Sequence, residues 1–221
     1  MNECNINAMD KASQKRSEII DAAYRVITRK GYHATRIEDI AQELGMAQGL
    51  FYRYFRNKLE IFNEIVDEII MRITEGMASA PPTLSNTLGE YTEQMRGGLE
   101  NSFAILTEDP FISRAMFFEA YGIDEEISKK VQDVFDLFGE YSSYYVRHGI
   151  DKGILRQDLD VEKMGFAFNA LVFEGVRRII RSNDKEAAKA AWVKAILGLM
   201  IQGTADAQAL EELRRMKGFI V

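Results

Sequence analysis

Apolar residues recur at three- and four-residue spacing through almost every long segment, and no stretch alternates apolar with polar positions, so the pattern predicts an all-α fold. The first helix is expected from about Ser13 to Lys30, with Ile19, Ala22, Ala23, Val26 and Ile27 on one face and Gly31 as its left-handed stop. Thr35-Arg36-Ile37-Glu38 reads as a capping box: the Thr35 hydroxyl can accept from the Glu38 amide while the Glu38 carboxylate reaches back. The buried face of that second helix is Ile37, Ile40, Ala41 and Leu44. Gly45 breaks it, and after only Met46 and Ala47 a short third helix opens near Gln48. Phe51, Tyr54 and Phe55 form its core side, while Gln48, Gly49, Tyr52 and Arg53 fall on the opposite side. Asn57 can cap a fourth helix, Lys58 to about Glu75, striped by Ile61, Phe62, Ile65, Ile69 and Ile73.

Gly76 to Thr83, with Pro81-Pro82, reads as a linker. Beyond it the pattern predicts a long helix from about Leu84 to Thr107, bent near Gly97-Gly98, then a new start with Asp109 as cap and Pro110 at its first position. Further helices are expected at Asp124 to Arg147, from the Asp160 cap to about Arg181, at Lys185 to Gln202, and more weakly at Asp206 to Lys217; His148 to Asp158 reads as a turn. The helices at 160–181 and 185–202 are apolar nearly all round, so each must be covered on both sides.

Composition narrows the class. The chain has 221 residues, 47% hydrophobic and 28% charged, with one cysteine, which suits a globular core that needs no disulfide. No run of apolar residues is long enough to span a membrane and the first eleven residues are polar, so the expectation is a cytoplasmic protein with no membrane partner. The net charge of −6 hides an asymmetry: residues 11–58 carry ten Lys and Arg against five Asp and Glu, and the remainder is strongly acidic. That is the sign expected if the first third meets phosphates.

Two helices joined by a short Gly-containing turn, the second with a small polar and aromatic outer side, make a helix-turn-helix, whose second helix enters the major groove. Gly49 permits close backbone approach, Gln48 can read adenine bidentately, and Tyr52, Lys58 and the Thr35 hydroxyl suit phosphate oxygens. Each also has an ordinary structural use: Tyr52 and Tyr54 as half-buried packing, Arg53 and Arg56 as solvated charges, Gln48 as a neutral surface residue.

Taken as a unit, residues 13–62 resemble the tetracycline-repressor (TetR) family of bacterial transcription regulators, through I-I-D-A-A-Y-R-V-I at 19–27, G-Y-H-A-T-R-I-E-D-I-A at 31–41 and G-M-A-Q-G-L-F-Y-R-Y-F-R-N-K at 45–58. The resemblance implies that Gln48, Gly49, Leu50, Tyr52, Arg53 and Tyr54 form the recognition surface, with Thr35 and Lys58 at phosphates; Arg36 is also expected among the DNA-binding residues. Ala47 stands where the family often has a hydroxyl cap, and Leu50 where a threonine is common; Leu50 is placed to touch a thymine methyl instead. It also implies a tail at 1–11 expected to be disordered, a DNA-binding domain at 12–58, a connecting helix at 59–75, and a ligand-binding and dimerisation domain at 76–221.

The C-terminal part carries no family-specific motif. By the same resemblance its last two strong helices pair with their copies in a homodimer, through Phe166, Phe173, Val176, Trp192, Ile196, Leu199 and Met200; a buried monomer core is the other use of such helices. The dimer would read an inverted-repeat operator in double-stranded DNA. The cluster Phe103, Phe111, Met116, Phe117, Tyr121, Phe138, Tyr141, Tyr145 and Phe168 is expected to enclose a small hydrophobic or aromatic effector, although aromatic stripes at helical spacing also serve as plain core. Glu119, Arg114, Asn169 and Glu174 are the polar residues able to reach inward. No catalytic, metal or cofactor site is expected: His33 and His148 are the only histidines, there is no Glu-x-x-His pair, and neither a Gly-rich phosphate loop nor a Gly-x-Ser-x-Gly elbow occurs. The other function class compatible with this pattern is a helical dimeric interaction or small-molecule-binding protein without operator binding.

Overall fold

The computed structural model describes residues 3–78, 85–109, 111–112 and 122–215, with the side chains of 3–10 and 77–78 left aside. Among the described residues there are nine helices, and the extended pairing is a single antiparallel bridge between Leu155 and Ala205.

The helix α1 (Glu3–Lys30) starts well ahead of the expected Ser13, because no glycine or proline precedes Gly31 and nothing stops the helix earlier. The segment expected to be a disordered tail is therefore helical from Glu3 onward. Gly31, at φ +83°, ends it, its amide donating to the Ile27 carbonyl at 2.7 Å. The next helix, α2 (Ile37–Glu43), begins two residues later than the predicted cap. Arg36 is the cap residue; its backbone amide donates to the Asp39 carboxylate at 2.9 Å, so the reciprocal partner is Asp39 and not Glu38. Gly45, at φ +61°, turns the chain into α3 (Gln48–Phe51), a single turn of helix. Asn57 then caps α4 (Lys58–Ala78): its Oδ1 accepts from the Glu60 amide at 2.9 Å, and the Glu60 carboxylate accepts from the Arg56 amide at 2.7 Å. Ile19, Ala22, Ala23 and Ile27 of α1, Ile40 of α2, Phe51 and Phe55, and Ile61, Phe62 and Ile65 of α4 close one fully buried core.

Gly76 does not open a linker: it lies within α4, where a Cβ would come within 2.5 Å of Ile105 Cδ1. The helix α5 (Leu88–Thr107) starts behind the Thr87 cap, whose hydroxyl accepts from Glu90. Asp124 caps α6 (Glu125–Asp151), which runs past the expected Arg147 and takes His148 into its last turn, where Nε2 lies 2.8 Å from the Ser85 carbonyl. Asp160 and Asp184 cap α7 (Val161–Ile179) and α8 (Lys185–Thr204), and α9 (Ala207–Arg215) follows. No helix of the described residues is long and apolar enough to cross a membrane.

The closest packing in the second half is between α6 and α7. It depends on absent side chains: a Cβ on Gly165 would sit 2.6 Å from the Ser143 backbone nitrogen, and one on Gly139 would sit 2.5 Å from the Phe166 ring.

Several large residues of α7 and α8 expected at a dimer surface turn into this chain's own core. Val176, Ile196 and Met200 are buried within one chain. Phe173 packs edge-on to Phe135 and Phe138, Phe166 lies on Gly139, and Trp192 is half-buried beside Gly175. Of the seven expected interface residues, Leu199 stands out into solvent, 66% exposed. It continues an exposed stripe of Ala187, Ala191 and Ala195 at four-residue spacing, and Ala167 and Ala170 of α7 are exposed as well. Both faces of these helices are apolar, so periodicity could not tell which turns inward; the bulky side takes the core and the alanine side is left outside.

Candidate nucleic-acid interface and cavity

The outer side of α3 is open. Gln48, Gly49 and Arg53 are exposed and Tyr52 is 53% exposed, its ring edge-on to the buried Phe51 ring. No atom lies within 4 Å of where a Gly49 Cβ would be, so the backbone there can approach a partner unobstructed. Leu50 and Tyr54 are half-buried and face partly into the fold. Ala47 caps α3 without a side-chain hydrogen bond, as expected from the missing hydroxyl.

Two of the expected phosphate ligands have inward partners instead. Thr35 is buried, and its hydroxyl donates to the Gly31 carbonyl at 2.7 Å. The Lys58 ammonium donates to the carbonyls of Tyr32 (2.6 Å) and Thr35 (2.8 Å) and sits 4.2 Å from the centre of the Tyr32 ring. Burial lowers its pKa from the ordinary lysine value. Lys58 thus ties the start of α4 to the turn between α1 and α2. Lys58→Met is expected to cost about 2–3 kcal/mol, because two carbonyls lose a charged donor; thermal melting should fall by roughly 5–10 °C, while the salt dependence of DNA binding by the folded protein stays unchanged.

Four cations of α1 are likewise held within the protein. Arg25 and Arg29 pair with Glu43 at 3.2 and 2.5 Å, and Lys30 pairs with Asp39 at 2.7 Å, which joins α1 to α2. Hydrogen bonds from Arg29 and Arg25 hold the Glu43 carboxyl below the usual range. Arg16 was not singled out by sequence. Its guanidinium donates to the Tyr54 carbonyl at 2.5 Å, pairs with Glu64 and lies 4.1 Å from the Phe55 ring centre, so one side chain fixes the turn after α3 to α4. Arg53, Arg56 and the exposed Arg36 are the basic groups left on the outer side of this unit.

The far end of α4 meets a cavity of about 100 Å³. Ile73 and Gly76 of α4 line it together with α5 (Met95, Gly98, Leu99, Asn101, Ser102), α6 (Phe138, Tyr141, Ser142, Tyr145), α7 (Phe168, Asn169, Val172) and α8 (Ile196, Met200). Four expected ligand residues, Phe138, Tyr141, Tyr145 and Phe168, are in the wall. Phe103 and Phe111 are not: Phe103 is buried against Gly175, and the Phe111 ring lies 4.3 Å from that of Tyr24, joining the effector half to α1. Met116, Phe117 and Tyr121, with Arg114 and Glu119, lie outside the described residues. Ile196 and Met200, expected at the dimer surface, line the cavity instead. Glu174 does not line it, and its carboxyl is pushed down to about 2 by hydrogen bonds from Arg177 and Arg178.

No charged side chain stands in the described wall; its polar groups are serine, asparagine and tyrosine. The Tyr145 hydroxyl is pushed well above the usual phenol range by burial and by its hydrogen bond with Tyr141, so it stays protonated. The wall therefore suits an apolar or neutral guest. Two polar links tie the walls to the DNA-facing unit: Lys130 of α6 donates to Asn63 (2.9 Å) and Asp67 (2.7 Å) of α4, and the Tyr24 hydroxyl of α1 donates to Asp109 just past α5.

Residues 19–65 match the family profile of bacterial regulatory proteins, tetR family. The fatty acid metabolism regulator protein of Bacillus subtilis is 25% identical over 202 residues, covering 88% of this chain and 98% of that protein. The crystal structure of the transcriptional regulator FadR from Bacillus subtilis in complex with stearoyl-CoA superposes with a TM-score of 0.60 at 25% identity, covering 85% of this chain and 98% of that one. The fatty acid degradation regulator FadR from Bacillus halodurans gives 0.63 at 25% identity, covering 86% and 95%. A one-turn helix with a bare outer side, held on a three-helix core and followed by a helical body, gives the chain the fold of these regulators; residues 19–65 carry the DNA-binding segment of the tetR family of bacterial regulatory proteins, and the chain as a whole is similar to DNA-binding regulators of transcription.

Proposed function

We propose that the chain is a repressor that binds an inverted-repeat operator as a homodimer and is released by a long-chain acyl thioester. The observation that carries the effector class is the uncharged apolar wall: with no cation in its described lining, a free carboxylate inside would be desolvated without a partner, whereas an acyl chain can enter with its charged carrier left outside. The relative crystallised with stearoyl-CoA supports the same class.

Release follows from size. A cavity of about 100 Å³ is well below the roughly 300–1,000 Å³ of pockets that enclose a ligand, so a long chain must part α4 from α5 and α6 to enter. The acyl chain then binds better to the parted state, and this differential affinity shifts the equilibrium. Because Ile73 and Gly76 lie on α4, and Lys58 and Arg16 hold the other end of α4 to the reading unit, displacement at the cavity reaches α3. The exposed alanine stripe of α8 with Leu199, together with the exposed Ala167 and Ala170 of α7, is the face for the second copy, and pairing there would set two α3 helices about 34 Å apart. In this account the DNA contacts come from Gln48, Gly49, Tyr52 and Arg53, with Arg36 and Arg56 at phosphates.

The test is selection of bound sequences from a random duplex pool, followed by titration of stearoyl-CoA into the complex. An inverted repeat released by micromolar thioester is expected; release by free stearate but not by the thioester would overturn the effector assignment. Gly98→Leu supplies a second check, since Gly98 lines the cavity and has only the Tyr145 hydroxyl, at 4.0 Å, near a Cβ. The added side chain should fill the cavity, lower thioester affinity by about 10-fold or more and leave operator binding intact, giving a repressor that no longer lets go.

A further inference from the structure

Asn169 is the polar residue most deeply set in the cavity wall, 5% exposed on α7, while the lining residues that reach the surface, Asn101 and Ser102, come from α5. Its amide orientation is fixed by chemistry. The Nδ2 group donates to the Phe135 carbonyl of α6 at 3.1 Å, and a carbonyl can only accept, so the nitrogen faces α6 and Oδ1 faces the other way. Oδ1 has no hydrogen-bond partner among the described residues, and it is not among the side-chain atoms sealed off without one, so it opens on the cavity. Phe168, Ile196 and Met200 of the buried lining carry no donor, and the hydroxyl of the buried Tyr145 is hydrogen-bonded with Tyr141. An acceptor lone pair thus stands in the deep, mainly apolar part of the wall.

We infer that the effector carries a hydroxyl on its hydrophobic chain and that Asn169 Oδ1 receives that hydroxyl's proton, so the cavity prefers a hydroxylated acyl chain to a saturated one. This rests on the acyl-thioester reading above and deepens it. The wall selects among donors. An ammonium would need a carboxylate, and no charged side chain lines the described wall. A hydroxyl is neutral, small and able to satisfy the single acceptor. A saturated chain pressed on Asn169 expels any water there and leaves Oδ1 desolvated and unpaired, a loss worth about 10-fold in affinity or more.

The experiment is calorimetric titration of the full chain with stearoyl-CoA and with three hydroxystearoyl-CoA probes, bearing one hydroxyl near the thioester, at mid-chain or near the methyl end. The wild type should bind at least one hydroxylated probe about 10-fold more tightly than stearoyl-CoA. Asn169→Leu, close in volume, should erase that preference and bind stearoyl-CoA at least as well as the wild type does. The inference is overturned if no hydroxylated probe exceeds stearoyl-CoA in the wild type, which would mean that a retained water satisfies the amide, or if the preference survives in Asn169→Leu. The first comparison needs no variant, so it stands even if the substitution unfolds the protein. Equal binding of all four probes removes this inference and leaves the acyl-thioester reading standing, whereas binding of none removes that reading and this inference together.

Discussion

Replacing Gln48 and Tyr52 together with alanine should lower operator affinity by about 4–6 kcal/mol, three to four powers of ten, bringing the specific site down to non-specific DNA. Both side chains are exposed, and each is present twice in a dimer, so a base-edge contact of about 1–3 kcal/mol is lost several times over. The fold should scarcely respond. Tyr52 touches the core only through its edge contact with Phe51, and the one-turn α3 is anchored by Phe51 and Phe55, neither of which is changed. Fluorescence anisotropy with operator and scrambled duplexes, alongside a thermal melt, separates the two effects. Loss of affinity for both duplexes in proportion, or a melt shifted by more than about 5 °C, would mean that these residues support structure and do not read sequence.

Gly165→Ala should destabilise the protein by about 2–3 kcal/mol and lower its melting temperature by roughly 5–10 °C, although alanine is ordinarily the better helix former. The new methyl group would lie 2.6 Å from the Ser143 nitrogen and 2.7 Å from its Cα, backbone atoms that cannot turn aside, so α6 and α7 must separate. Gly97 gives the opposite sign. It is exposed within α5 with nothing within 4 Å of its would-be Cβ, so Gly97→Ala should stabilise by about 0.5–1 kcal/mol. Chemical denaturation of both variants checks the pair; a Gly165→Ala protein as stable as the wild type would contradict the close crossing.

The reading unit was largely legible in the sequence because it is built from local signals. Gly31 and Gly45 end helices where their spacing said they would, and the three- and four-residue alternation around Phe51 and Phe55 correctly left Gln48, Gly49 and Tyr52 outside. The errors there were of partner, not of place. Thr35 and Lys58 sit at the predicted positions, but the Thr35 hydroxyl turns back to the Gly31 carbonyl four residues earlier, and the Lys58 ammonium meets the Tyr32 and Thr35 carbonyls, a proximity that no spacing along the chain encodes. Arg16 was missed for the same reason: its partners Tyr54 and Glu64 are far along the sequence and adjacent only in the fold. The effector half was less legible. A helix apolar on every side has no preferred inward face, so Ile196 and Met200 were assigned to a partner subunit when they line the cavity, and the small alanines that remain outside carried no signal of their own. Aromatic size likewise did not separate lining from packing: Phe138 and Tyr145 face the cavity, while Phe103 and Phe111 fill solid core. Asn169 was visible as a polar residue in an apolar run, but only the Phe135 carbonyl shows which end of its amide is free.

The account depends on α3 lying in the major groove with its exposed side against base edges. Methylation of guanine N7, an atom presented only in that groove, tests this directly when partially methylated operator is sorted into bound and free fractions. Interference at guanines in two patches about one helical repeat apart, reduced when Gln48 and Tyr52 are alanine, is the predicted result. Binding indifferent to N7 methylation, and blocked only by modification of phosphates or of the minor groove, would contradict it.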